Sequence, residues 1–157
     1  MPGWLRDVAS LALGSVVTAI ILALLHRRGI VRREAQLRQG RPVSFEAFLR
    51  GTAAPYPRRW RYGWVDVGYG APDWRPRFSL RRDRIALPAS ASVAGIRRPK
   101  NLREMIATNP DFLIVKVKSE SGDLELAIRD RDLPTSLRGL ETQTGGAWRL
   151  GDAAHLE

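Results

Sequence analysis

The sequence predicts a mainly β domain with a C-terminal α-helix, preceded by one N-terminal transmembrane helix. An apolar run over residues 8–25 contains no charged residue and no proline. Short runs between residues 43 and 128 alternate apolar and polar side chains, which is the period of a β-strand. Leu133, Leu137 and Leu140 then recur at helical spacing. The three patterns indicate a span, a sheet and a covering helix, in that order.

The apolar run of residues 8–25 is long enough to cross a bilayer. These residues rise about 27 Å as a helix, which is close to the thickness of the hydrocarbon layer. Four arginines follow within residues 27–33, whereas residues 1–7 hold one arginine beside an aspartate. The positive-inside rule therefore predicts a single-pass protein of the cell membrane, with a short N-terminus outside and the main body in the cytoplasm. A cleaved signal peptide and a buried core helix are less favoured alternatives.

Small side chains recur every fourth residue along the predicted span, at Ser10, Gly14 and Thr18. Small residues at this spacing allow two membrane helices to approach closely. Such residues are also common in membrane helices generally. A helix–helix contact through this face, and with it a homodimer, is therefore one open interpretation.

The charge of the chain is strongly positive and unevenly distributed. The net charge is +10, and residues 27–103 hold 19 basic residues against 5 acidic ones. Arginine outnumbers lysine 23 to 3, a bias that high-GC coding alone also produces, although such coding does not explain the net charge. With no cysteine in the sequence, disulfides, thiolate nucleophiles and cysteine-bound metals are excluded.

About seven short strands are predicted between residues 42 and 130. Proline, glycine and aspartate separate the alternating runs, and such residues form turns. One helical turn is expected at residues 102–107, and a final helix begins at Asp132 with Pro134 in its first turn. The predicted strands cover residues 43–50, 60–67, 75–80, 84–87, 92–96, 113–118 and 124–128.

Seven strands followed by one helix suggest a split β-barrel of the PH-like type. In that architecture two sheets pack across each other and a C-terminal helix covers the open end. A generic small β-barrel is the alternative. The resulting domain boundaries are a short N-terminus (1–7), the span (8–25), a basic juxtamembrane linker (26–41), the PH-like domain (42–141) and a disordered tail (142–157).

The chain resembles the actinobacterial family known as domain of unknown function 2550. The similarity lies in the span that ends in arginines, in the strand start at residues 59–63, in the Arg-Arg-x-Pro element at residues 96–99, and in the last hairpin and helix at residues 113–141. Members of that family are single-span proteins with a cytoplasmic PH-like domain. The resemblance implies a fold and a topology, but it supplies no activity.

Residues with catalytic potential are sparse in the sequence. His26 and His155 are the only histidines, and they lie at the membrane border and near the C-terminal end. Asp130 and Asp132 suit the start of a helix better than a metal site. No G-x-G-x-x-G or P-loop pattern follows the glycines. We therefore predict neither an enzyme nor a bound cofactor or metal.

The arginine-rich stretches are the strongest candidate for a binding surface, because the guanidinium group suits phosphate. Trp74 lies in a proline-flanked loop and is predicted to be an exposed interface anchor, whereas Trp60 and Trp64 fit core packing better. The predicted lipid- or anion-binding residues are Arg27, Arg28, Arg32, Arg33, Arg81, Arg82, Arg97, Arg98 and Lys100.

Three functions remain open from the sequence. The first is a non-enzymatic, membrane-anchored scaffold whose basic face binds anionic lipid head groups or an acidic protein partner. The second is an accessory subunit of a membrane complex. The third is membrane-tethered nucleic-acid binding, which ranks lower because no helix-turn-helix or RNP-like pattern is present.

Overall fold

A computed structural model of the chain describes residues 31–33, 35–36, 39, 41–68, 71–78 and 84–150. The predicted span and its contact residues Ser10, Gly14 and Thr18 lie outside this part. Within it, no helix is long and apolar enough to cross a membrane. The chain divides into two units, residues 1–35 and 36–157. Residues 31–33 and 35 of the first unit and residue 36 of the second are helical.

The second unit is built on one open sheet, which confirms the mainly β class with a C-terminal helix. The strand order is β4-β3-β2-β1-β7-β6-β5-β8; the first seven strands pair antiparallel, and β8 runs parallel to β5. Two helices, α1 (Leu102–Thr108) and α2 (Leu133–Gln143), accompany the sheet. The strands are β1 (Val43–Gly51), β2 (Arg61–Val67), β3 (Asp73–Pro76), β4 (Ile85–Ala86), β5 (Ala91–Arg97), β6 (Phe112–Lys118), β7 (Leu124–Arg129) and β8 (Trp148–Leu150).

Strand β1 joins the two halves of the sheet. It pairs with β2 from Val43 to Leu49 and with β7 from Ala47 to Gly51. Its burial alternates along all nine residues, because one face covers the core and the other does not. The two antiparallel groups, β1–β4 and β5–β7, are therefore joined into one continuous sheet through the pairing of β1 with β7.

The main core lies on one face of the sheet and is covered by α2. Leu133, Leu137 and Leu140 are buried in this core, as their spacing predicts. Asp132 is the N-cap residue of α2, where the sequence predicts the helix to begin, but its side chain makes no capping hydrogen bond. Instead, the Ser136 hydroxyl donates to the carbonyl oxygen of Asp132 at 2.7 Å.

The predicted disordered tail contains structure. Gly145 and Gly146 both adopt positive φ, a conformation that glycine enters at little cost, and they turn the chain back toward the sheet. Trp148 is buried in the core, and its indole N–H donates to the carbonyl oxygen of Pro88 at 2.8 Å. The boundary predicted at residue 141 is therefore wrong, because the folded domain continues at least to Leu150.

Trp74 is buried, so its predicted role as an exposed interface anchor is wrong. Only 1% of the residue is exposed, and its indole N–H donates to the Ala47 carbonyl at 3.3 Å. Gly63 makes this packing possible, because a Cβ at that position would lie 2.8 Å from the Trp74 ring. The pairing of β2 is continuous through Gly63, whereas a register shift occurs in β5, between Val93 and Gly95.

Candidate functional site

The face of the sheet away from the main core carries aromatic rings and arginines. A second cluster of buried side chains, Phe112, Ile114 and Ala127, lies there, with Phe48 and Trp60 packed against it. The Phe48 ring touches those of Phe112 and Tyr62, with centroids 5.3 and 5.0 Å away. We call this side, which also bears Arg50 and Glu125, the outer face of the sheet.

Four charged side chains form a compact cluster on the outer face. Arg97 donates two hydrogen bonds to the Glu104 carboxylate, Nη1–Oε2 at 2.7 Å and Nη2–Oε1 at 2.9 Å. The same guanidinium reaches Glu125 at 3.3 Å. Arg50 completes the cluster, since it bonds Glu125 through Nε at 2.9 Å and lies 3.4 Å from Glu104. Two carboxylates and two guanidinium groups thus balance one another, and we call the set the ion cluster.

This pairing shifts the pKa values of Arg97 and Glu104. The Arg97 guanidinium, which hydrogen-bonds Glu104, lowers the pKa of that carboxyl group to about 2. The pKa of Arg97 is raised in turn, chiefly by the same hydrogen bonds. Both charges are therefore present at neutral pH. Because 6% of Arg97 is exposed, its predicted role in an exposed anion-binding surface is wrong.

The ion cluster attaches helix α1 to the sheet through the polar side of that helix. Glu104 lies in the first turn of α1, and its carboxylate also accepts the Lys100 backbone N–H at 3.1 Å. The Asn101 side chain caps the helix by accepting the Glu104 N–H at 2.9 Å. Thr108, at the other end, is fully buried and donates to the Glu104 carbonyl at 2.9 Å. The face of α1 that contacts the domain is thus polar.

The exposed side of α1 is apolar. Leu102 is 71% exposed, Ile106 is 78% exposed and Met105 is 39% exposed. Their spacing of three and four residues puts them side by side on one surface of the helix. We call these three residues the apolar stripe. The sequence predicts the helical turn at residues 102–107, and the bounds of α1 agree, but its spacing alone did not indicate that the apolar side faces outward.

Exposed cations lie close to the apolar stripe in sequence. Arg98, Lys100 and Arg103 are all exposed, and residues 96–103 contain no acidic residue. The Arg98 guanidinium lies 3.8 Å from the Asp130 carboxylate, and both side chains are mostly exposed to solvent. A pair of this kind contributes little. The end of β5 and helix α1 therefore present a positive, partly apolar surface.

The other predicted basic residues are distributed differently. Arg27, Arg28, Arg81 and Arg82 lie outside the described residues. Arg32 and Arg33 belong to the first unit, where Arg32 is exposed and Arg33 is half-buried. The structure therefore brings together Arg98 and Lys100 from the predicted set, adds Arg103, and removes Arg97.

Several further arginines of the domain are paired with acidic residues. Arg84 binds Asp73 at 2.8 Å and lies 3.7 Å from Asp66, a carboxylate that Arg75 also approaches at 3.6 Å. This pairing, above all with Asp73, raises the pKa of Arg84. On the outer face, Arg129 binds Glu46 at 2.6 Å. These cations have part of their charge neutralised within the domain.

A shallow groove of about 400 Å³ opens beside the β6–β7 hairpin. Arg58, Lys116 and Lys118 line it, but Asp123 and Glu125 do so as well. With Arg50, which also lines it, the groove has four basic residues against two acidic ones. Among the described residues, no group of three or more histidine, cysteine, aspartate or glutamate side chains could hold a metal ion.

No model of a protein family matches the chain, and no characterised protein matches it either. The resemblance to domain of unknown function 2550 therefore stays a prediction from sequence.

The ion cluster predicts an acid-sensitive fold. The Glu104 pKa falls from an ordinary 4.5 to about 2, so its stabilising effect is complete above pH 4.5 and is lost as the pH drops through 2. We expect Glu104→Gln to lower the free energy of unfolding by about 1–3 kcal/mol at pH 7 and to flatten its decline between pH 4.5 and 2. Urea unfolding followed by tryptophan fluorescence measures both.

The matched control for this prediction is Glu120→Gln, in the exposed turn between β6 and β7. It should leave the unfolding free energy within about 0.5 kcal/mol at every pH. An equal acid response in the two variants would contradict the assignment of that response to Glu104.

Proposed function

We propose that this chain is a membrane-anchored, non-enzymatic binding module with a PH-like fold, which acts as a scaffold at the inner face of the cell membrane. Its exposed basic residues bind anionic lipid head groups. The observation that carries the proposal is the concentration of exposed cations at Arg98, Lys100 and Arg103, in a segment without acidic residues.

The strand order supports a PH-like fold. Four strands in the order β4-β3-β2-β1 are followed by three in the order β7-β6-β5, and a C-terminal helix covers the core between them. This succession supports the split barrel that the sequence predicts. The parallel strand β8 is an addition to that pattern.

The sequence of residues 8–25 supports the membrane anchor, and the following linker supports a location of the domain close to the bilayer. From residue 26 to Pro42 an extended chain spans at most about 55 Å. A domain on so short a tether remains within reach of the head groups. Each lysine or arginine that reaches an anionic surface contributes about 1 kcal/mol. Three cations on one segment would therefore favour docking by about 3 kcal/mol.

Nucleic-acid binding has weaker support. A single strand would require rings free to stack on bases. Trp74 is buried, and the Trp60 ring is covered by the Arg50 guanidinium at 4.5 Å. Tyr62 and Trp64 contact each other, and Arg77 lies over both rings at 5.3 and 5.8 Å. These aromatic side chains are engaged within the domain.

Energy transfer between the domain and the bilayer tests the proposal. The chain contains no cysteine, so Glu120→Cys gives a single attachment point for a donor dye on an exposed turn. The full-length chain would be reconstituted in nanodiscs whose lipids carry an acceptor dye. We expect higher transfer with anionic than with neutral lipid, and a decline of that difference as salt is raised.

Charge reversal identifies the surface responsible. The triple variant Arg98→Glu, Lys100→Glu, Arg103→Glu should remove the difference between anionic and neutral lipid. Its matched control reverses three other exposed arginines, Arg58→Glu, Arg59→Glu and Arg61→Glu, and should retain most of that difference. A chain that does not insert into the bilayer would contradict the proposed membrane anchor at residues 8–25. A chain that inserts but transfers equally in both lipids would contradict the lipid-binding surface and favour a protein partner.

A further inference from the structure

Helix α1 has the reverse of the polarity usual for a helix on a water-soluble domain. Such helices turn their apolar side inward and their charged side toward water. In α1 the inward side carries the ionised Glu104 and the buried Thr108, whereas Leu102, Met105 and Ile106 face outward. Single exposed apolar residues are ordinary, but three adjacent ones beside the half-buried, ion-paired carboxylate of Glu104 are not.

The reversed orientation is held firmly in place. Turning the apolar stripe inward would break the two hydrogen bonds from Arg97 to Glu104 and leave charges of the ion cluster unpaired in a poorly solvated site. The fold thus fixes the stripe on the outside before any partner arrives. A preorganised surface of this kind loses little conformational freedom on binding.

We propose that the apolar stripe inserts into the head-group region of an anionic bilayer, where Arg98, Lys100 and Arg103 contact the lipid phosphates around it. The proposal rests on the lipid-binding function above and deepens it, because it names the segment that enters the membrane. Leu102 and Ile106 would lie at the boundary between head groups and acyl chains, about 5–10 Å deep.

A bilayer fits this surface better than a protein partner does. A specific protein interface buries about 800 Å² on each side. Three side chains on a helix of seven residues offer much less area. A bilayer requires only a few apolar side chains when cations and a tether add to their effect, since two weak signals together give stable association. The cations that border the stripe also complement the charge of an anionic leaflet.

A polarity-sensitive label on Ile106 tests the insertion. Ile106→Cys in the full-length chain would carry an NBD group, whose emission shifts to the blue and strengthens in an apolar setting. Nanodiscs of anionic lipid, with and without nitroxide-bearing lipid, would serve as the membrane. We expect a blue shift and strong quenching by the nitroxide. The matched control is Arg138→Cys on α2, an exposed site that should show neither effect.

Removal of the stripe gives a second readout. Leu102→Ser with Ile106→Ser leaves Glu104, Arg97 and all neighbouring cations unchanged. The ratio of docked to undocked domain should fall about tenfold or more, because full burial of one such side chain contributes at least that factor. The energy transfer that remains should vanish with added salt, since only the electrostatic contribution is left.

The outcomes separate this inference from the proposed function. Lipid-dependent energy transfer without quenching at residue 106 would overturn the insertion and leave the basic surface intact. A blue shift without quenching would show that protein covers the stripe, and would likewise overturn it. Loss of both signals in anionic nanodiscs would overturn the two proposals together.

Discussion

Replacing Arg97 by methionine should lower the free energy of unfolding by about 3–5 kcal/mol. The change removes the hydrogen bonds to Glu104 and the ion pair to Glu125, and leaves Arg50 as the remaining cation of the cluster for both carboxylates. Their exposed side-chain fractions are 13% and 20%, so water compensates only in part. Chemical denaturation of the full-length chain, followed by tryptophan fluorescence, measures the loss.

The neighbouring residue supplies the control. Arg98→Met makes the same chemical change one position away, but that side chain is 70% exposed and its pairing with Asp130 is loose. The expected change is within about 0.5 kcal/mol. Adding Glu104→Gln to Arg97→Met should recover part of the loss, because it removes a charge that has lost its partner. Equal destabilisation by the two arginine variants would contradict the claim that the ion cluster attaches α1 to the sheet.

Truncating the buried indole of Trp74 should have an effect of similar size. Trp74→Ala is expected to lower the unfolding free energy by about 3–5 kcal/mol, since the cavity lies in the main core and the Ala47 carbonyl loses a hydrogen bond. Trp74→Phe keeps most of the apolar volume and should destabilise less. Urea denaturation compares these variants on one scale.

Trp64→Ala is the matched control for that prediction. Trp64 lies in the neighbouring strand but on the outer face, half-buried, with its ring 5.7 Å from that of Tyr62. Its loss should lower the unfolding free energy by about 1 kcal/mol, the range of one aromatic pair. A larger effect at Trp64 than at Trp74 would reverse the assignment of faces in β2 and β3.

Strand positions were largely predictable, because alternation and turn residues are local signals. Strands β1, β2, β6 and β7 and the leucine face of α2 lie where the patterns place them. Faces were harder to assign. Between residues 60 and 67, two alternating sets of side chains, Trp60-Tyr62-Trp64 and Gly63-Val65-Val67, could each face the core. Which row covers the core depends on Trp74, whose ring packs over Gly63 from the next strand.

Burial of Arg97 illustrates a second limit of sequence interpretation. The register shift between Val93 and Gly95 changes the alternation of β5, so Ile96 faces the main core and Arg97 lies on the outer face, where its ion pairs bury it. The acidic partners of Arg97 come from α1 and β7, seven and twenty-eight residues away in sequence. An arginine in a basic run gives no local sign of such partners. The surface that remains, around Arg98 and Lys100, was within the prediction.

No local pattern in the sequence predicts strand β8 or its pairing with β5. Residues 142–157 are rich in glycine, threonine and alanine, a composition typical of disorder. One large residue overrides it, because burial of Trp148 adds an apolar side chain and a hydrogen bond to the core. The strand then pairs in parallel with β5 over three residues.

The most direct test of the proposed function is energy transfer between the domain, with its basic surface unchanged, and the lipids of the bilayer. The full-length chain, labelled only at residue 120, would be compared in nanodiscs of anionic and of neutral lipid at low salt. The proposal predicts markedly higher transfer with anionic lipid and near-equal transfer at high salt. Equal transfer in both lipids at low salt would show that the domain does not bind the bilayer through its charge.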